Sequence, residues 1–190
     1  MVDEATLLHA LTKVVNTLSA AGIDFAVAGG CAVYARGGPP SEHDVDVFLR
    51  EQDARAAQQA LAAEGMRPED PPEDWLLKVY DGHVLVDLIF QPNHRDPGEV
   101  LRRAEPMRVG PAYAPVVSAT DLMVDKLLVL GPHRCDFAPL LTVARDLREQ
   151  VDWARVAQET AASPYARSFL VLLNGLSVVD IESCGERIPT

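Results

Sequence analysis

The sequence predicts an α+β protein in which strands and helices alternate as far as residue 117 and helices alone follow from 118 to 190. Three observations carry that expectation. Charged and apolar residues alternate at period two over residues 43–49, the signature of a half-buried strand. Two apolar runs, 75–80 and 83–90, flank Asp81-Gly82, a dipeptide that supplies the positive backbone angles of a tight hairpin turn. From Ser118 onward the chain reads as successive helices with Pro139 and Pro164 near helix starts, where proline is tolerated.

Taken in order, Leu7, Leu8, Leu11, Val14, Val15 and Leu18 recur at spacings of three and four, which makes 6–20 an amphipathic helix closed by Gly22. Phe25, Ala26, Val27 and Ala28 form a short strand ended by Gly29-Gly30, and 31–35 continues as a short helix. Residues 36–42 are rich in Gly, Pro and Ser and form a loop before the 43–49 strand. Residues 53–64, rich in Ala and Gln, predict a helix, and 67–74, crowded with Pro and acid, a surface loop. After the hairpin a Pro-rich connection leads to extended pieces at 107–109 and 114–117. Ser118 to Asp121 offers an N-cap with an acid three residues on, starting a helix to about Leu130. Further helices are expected at 137–150, 153–162 and 165–176.

A chain of 190 residues suits one core, or a core with a helical appendix, and so a single active site. The expected division is a core over 1–117 and a helical C-terminal region over 118–190 packed on it. With 48% hydrophobic and 24% charged residues, the composition is that of a globular protein and not of a disordered chain. The N-terminus carries acid where a secretory signal carries base, and no apolar run reaches the roughly 20 residues needed to cross a bilayer; a cytoplasmic protein without a membrane partner is expected. Cys31, Cys135 and Cys184 contain no C-x-x-C pair, which points to reduced thiols and not to a disulfide framework or a zinc site. The net charge of -11 disfavours wrapping a long nucleic acid. It suits a divalent metal or a cationic small molecule, although such acidity more often serves solubility alone.

In His43-Asp44-Val45-Asp46-Val47 the two aspartates, two apart on a strand, leave the same face while both valines leave the other. Paired like charges need a counter-ion, and Mg²⁺ has the matching preference for oxygen. Solvated strand faces carry such pairs too, so context decides. In Val84-Leu85-Val86-Asp87-Leu88-Ile89-Phe90 one acid stands in an otherwise apolar strand, where a lone carboxylate is costly unless compensated. A hydrogen-bonded core acid, an edge acid facing water and a third metal ligand are its three readings. Three carboxylates can hold two divalent ions for phosphoryl transfer, and Gly29-Gly30 before a short helix gives backbone N–H groups access to phosphate.

The order of these parts resembles the polymerase-β-like nucleotidyltransferase superfamily. The segments that carry the resemblance are FAVAGGCAVYARGGPPSEHDVDVFL and, downstream, VLVDLIF, and it covers roughly residues 23 to 90. It implies a small mixed β-sheet core flanked by helices, with Gly29 and Gly30 bordering a nucleoside triphosphate. It also implies that Asp44 and Asp46 bind metal and that Asp87 is the third ligand and a candidate base for the acceptor hydroxyl. Mg²⁺, or Mn²⁺ in its place, is the implied cofactor, and an NTP such as ATP the substrate. Cys31 stands where many relatives have a phosphate-holding Ser; it is either a weaker donor or packing. His43, near a position where Thr is frequent, either contacts substrate or is merely exposed. Asp125-Lys126 and His133-Arg134-Cys135-Asp136 resemble the lysine helix and the basic-acidic motif of the minimal and toxin-type branches. That assigns Lys126 to the nucleotide and Arg134 to the nucleotide or the acceptor; the plainer reading of Lys126 is a lysine lying along its helix with its head in water, and Asp136 reads as the cap of the next helix.

The expected activity is transfer of an NMP from an NTP to an acceptor hydroxyl with pyrophosphate release. The acceptor is a small molecule such as an antibiotic, a tRNA end, or a partner protein in a toxin–antitoxin pair. The competing classes are a catalytically idle module of the same fold pairing with a partner protein, and a metal-dependent hydrolase using the same acids.

Overall fold

The computed structural model describes residues 3–41 and 43–180, and the chain divides into two compact units, Met1–Ser118 and Ala119–Thr190. In the first, helix α1 (Glu4–Ala20) starts where the Asp3 carboxylate accepts the Thr6 N–H at 3.0 Å, satisfying one of the N–H groups that a helix start leaves over. Leu7, Leu11, Val14, Val15 and Leu18 form its buried stripe, the spacing legible in the sequence. There follow β1 (Phe25–Val27), α2 (Gly29–Ala35), β2 (Asp44–Leu49), α3 (Glu51–Ala63), β3 (Arg67–Glu69), β4 (Leu76–Asp81), β5 (Val84–Ile89), α4 (Gly98–Arg103), β6 (Glu105–Val109) and β7 (Ala112–Val116).

Among the described residues the strands form one mixed sheet in the order β3-β4-β5-β2-β1-β7-β6. The β2–β5 and β1–β7 pairs are parallel and the rest antiparallel. Helix α1 packs on β2, β5 and β7 and against α3. Val45, Val47, Val86 and Leu88, all 0% exposed, fill the buried face of the two central strands, each contributing roughly 1.5–3 kcal/mol by leaving water. The other face of the same strands carries the acids, so alternation along β2 and β5 separates core from site.

The structure corrects three expectations. Residues 67–69 form an edge strand, not loop: Pro68 pairs with Val79 of β4, and an edge tolerates a residue without an N–H. The connection after β5 contains α4, whose first N–H groups include Gly98 donating to the Asp96 carboxylate at 2.9 Å. The sequence Asp96-Pro97 is the start signal for that helix. Third, Asp81 pairs with Val84, so the hairpin turns at Gly82-His83 and not at Asp81-Gly82. Gly82 has φ +62° and His83 does not share a positive angle, the pattern of a turn with Gly at its first central position.

The second unit consists of α5 (Ala119–Leu128), α6 (Ala138–Leu147), α7 (Trp153–Glu159) and α8 (Pro164–Gly175), with α5 packed on the other three. Asp121, 1% exposed, pairs with Arg155 of α7, and the Asp152 N–H donates to the Thr120 hydroxyl at 2.9 Å. A carboxylate so buried is tolerated because it is paired. Phe137 and Phe169 meet at 5.3 Å between ring centres, tilted by 58°. The Ala138 N–H donates to Asp136 at 3.0 Å at the start of α6, a capping contact. No helix of the described residues is long and apolar enough to cross a membrane.

Candidate active site

Parallel pairing of β2 with β5 places Asp46 opposite Asp87 and Asp44 opposite Leu85. Because side chains alternate along a strand, Asp44, Asp46 and Asp87 leave one face together. Each offers a carboxylate oxygen within 4.8 Å of the others'. Three acids so close repel one another, and a set of hard oxygen donors is what Mg²⁺ or Mn²⁺ takes. Among the described residues this is the one group of three or more His, Cys, Asp or Glu side chains close enough to hold a metal ion.

Asp87 is 9% exposed. Burial pushes its carboxyl above the usual carboxylate value, the charges of Asp44 and Glu73 adding to the rise, while Lys78 pulls the other way without cancelling it. The Lys78 ammonium donates to Asp87 Oδ1 at 3.1 Å. Burial draws that ammonium down, yet the hydrogen bond and charge of Asp87, with Glu73, outweigh it and hold the lysine above its ordinary value. The pairing of Lys78 with Asp87 is not legible in the sequence because it depends on which two residues turn the hairpin. With the turn at Asp81-Gly82, Asp87 would face Leu76 across the hairpin; the turn at Gly82-His83 advances the register by two and brings Lys78 opposite.

The glycine turn buttresses the other two acids. Gly29 has φ +54°, and a Cβ there would lie 1.6 Å from Asp46 Oδ2, so only glycine lets the α2 start and this carboxylate share the space. A Cβ on Gly30 would lie 2.4 Å from the Ser41 hydroxyl oxygen, and Ser41 in turn donates to the Asp44 carbonyl at 3.3 Å. Cys31 is 1% exposed with its sulfur 3.8 Å from the same carbonyl. Burial, and then the charges of Asp46 and Asp44, push its thiol up to about 12. His43 is exposed at the start of this strand.

The first unit therefore gathers Gly29, Gly30, Cys31, Asp44, Asp46 and Asp87, and adds Lys78 and Ser41 to them. Lys126 lies on α5 and is half-buried. Arg134 is exposed in a turn where its backbone exchanges both hydrogen bonds with Gly131, at 3.0 and 3.1 Å. Both belong to the second unit.

A family model described as uncharacterised nucleotidyltransferase matches residues 1–178. Among curated proteins none matches the sequence. Solved structures share the fold. The solution structure of the antibiotic-resistance factor ANT(2'')-Ia superposes with a TM-score of 0.64 at 14% identity, covering 92% of this chain and 98% of that one. The same factor in complex with adenylyl-2''-tobramycin gives 0.62 at 14%, covering 85% and 97%. The lincosamide antibiotic adenylyltransferase LnuA, lincomycin-bound, gives 0.54 at 14%, covering 79% and 99%. At this identity the likeness is one of fold.

Proposed function

The chain belongs to the family of uncharacterised nucleotidyltransferases, and from that premise we propose that it transfers a nucleoside monophosphate from an NTP to the hydroxyl of a small molecule, releasing pyrophosphate. The observation that carries the proposal is the convergence of Asp44, Asp46 and Asp87 within 4.8 Å on one face of two paired strands. The donor set fits divalent metal, since three carboxylates face one ammonium there and all offer oxygen. Bound Mg²⁺ or Mn²⁺ would supply charge neutralisation for the triphosphate and acidify the acceptor hydroxyl.

The chain's own residues do the rest. Asp44 and Asp46 are the metal-holding pair, braced by the glycine turn. Asp87, whose carboxyl burial holds above the usual value, is the group that takes the proton from the acceptor hydroxyl as the new bond to the α-phosphorus forms. A base tuned upward is better matched to neutral pH. Gly29 and Gly30 offer backbone N–H groups toward the triphosphate, while buried Cys31 serves by packing under Asp44. Lys126 and Arg134 enter as nucleotide contacts on the family resemblance alone.

The acceptor class rests on two supports. ANT(2'')-Ia and LnuA, which share the fold, are an antibiotic-resistance factor seen with an adenylylated tobramycin and an antibiotic adenylyltransferase seen with lincomycin. A net charge of -11 attracts a cationic acceptor of the amino-sugar kind. The test incubates the protein with each NTP, Mg²⁺ and a panel of aminoglycosides and lincosamides, reading pyrophosphate and the mass gained by the acceptor. Pyrophosphate released together with one NMP added is the expected result, with Asp87→Asn slowing it about 10²–10⁴-fold. Pyrophosphate or phosphate released without any gain in acceptor mass would indicate hydrolysis. NTP binding with no turnover on any acceptor would indicate an idle module or a macromolecular acceptor.

A further inference from the structure

A cluster of three carboxylates that holds its own cation is a different electrostatic object from a bare triad. Lys78 and Asp87 are direct cross-strand partners in the β4–β5 hairpin, their charged atoms are 3.1 Å apart, and their side chains are 20% and 12% exposed. Both strands fix the pair from below: Val79 and Val86, 0% exposed on the opposite face, lock the register that sets Lys78 over Asp87. The remaining acid beside the pair, Glu73, is exposed. With Asp44, Asp46, Asp87 and Lys78 all charged, the cluster carries two net negative charges, the complement of one divalent ion and not of two.

We propose that Lys78 is a fixed counter-cation of the site: it holds Asp87, so that the nucleotide-free protein takes a single divalent ion through Asp44 and Asp46, and a second is admitted only with the negative charge of a triphosphate. This rests on the metal-dependent reading above. Lys78 is a positioning residue in this role. Its ammonium keeps Asp87 aimed and singly occupied, and it bonds neither to phosphate nor to the acceptor. Removing a positive charge this close to a divalent ion raises metal affinity roughly tenfold even under strong solvent screening.

The experiment is Mn²⁺ titration of the full chain without nucleotide, read by calorimetry and by the paramagnetic signal of free Mn²⁺, on wild type, Lys78→Met, Lys78→Gln and Lys78→Arg, with thermal unfolding as the folding control. The wild type and Lys78→Arg are expected to bind one ion. Lys78→Gln, which keeps a hydrogen-bond donor for Asp87 and guards against misfolding of the Met variant, is expected to bind at least about tenfold tighter or to take a second ion. Unchanged affinity and stoichiometry in folded Lys78→Gln would overturn the role of Lys78 while leaving the metal site standing. Two ions on the wild type would overturn it as well. No Mn²⁺ on the wild type would sink the metal-dependent reading itself, and this inference with it.

Discussion

Gly29 shows how much one position can be asked to do. Its positive φ of +54° and the 1.6 Å between a would-be Cβ and Asp46 Oδ2 are independent reasons against any side chain. Gly29→Ala is therefore expected to cost about 1–3 kcal/mol of stability and to displace Asp46, so that Mg²⁺ and NTP binding fall together. Unfolding in urea reads the first effect and calorimetry the second. A variant that loses stability but binds normally would show that the turn tolerates a shift of Asp46. Asp44 and Asp46 were legible because Asp-x-Asp at period two is a local pattern. The pairing of Asp87 with Lys78 was not, because it depends on which two residues turn a hairpin.

The elements that carry the site are held by contacts remote from it. Arg36, at the end of α2 and 7% exposed, donates to the carbonyls of Val117 at 2.6 Å and Val116 at 3.2 Å and pairs with Glu105 at 3.0 Å. One guanidinium thus ties the helix that follows the glycine turn to the far strands of the sheet. Arg36→Met keeps the apolar stem but leaves those carbonyls without their charged donor, and a loss of about 2–4 kcal/mol is expected, read as a lower urea midpoint. If the midpoint holds, water replaces the guanidinium at little cost. The sequence marked Arg36 only as loop, since nothing local announces a side chain that reaches a strand 80 residues on. The edge strand β3 and helix α4 were hidden for a related reason. Proline marks a breaker in local reading, and only the neighbouring strand or the capping carboxylate shows it being used at an edge or a helix start.

For the molecule as a whole, the buried Asp87 of the site opposes the stability of the fold. Burial raises the folded-state value of Asp87 above its unfolded one. Its contribution is then fully favourable below the unfolded carboxylate value, and it is lost as pH rises through the folded value. In a chelator, Asp87→Asn is expected to match the wild type at acid pH. It should become progressively the more stable of the two in thermal unfolding as pH rises above the ordinary carboxylate value of about 4. Added Mg²⁺ should stabilise both proteins, because Asp44 and Asp46 hold it in each, and leave that difference standing. A difference that is flat with pH would mean that Lys78 fully compensates Asp87 in the folded state.

Periodicity, turn residues and composition by themselves determined the α+β class, the run of C-terminal helices, the first helix with its buried stripe, and the facing of Asp44 and Asp46. Each of these follows from interactions within a few residues. Only the tertiary structure decided that β5 lies parallel beside β2 with Asp87 level with Asp46, that the Gly29 backbone seats the Asp46 carboxylate, and that Lys78 neutralises one of three acids. Those facts depend on strand order and register, which are set by burying Val45, Val47, Val86 and Leu88 on the opposite face of the sheet. A pattern along the chain records which face a residue takes, but not which neighbour it meets there.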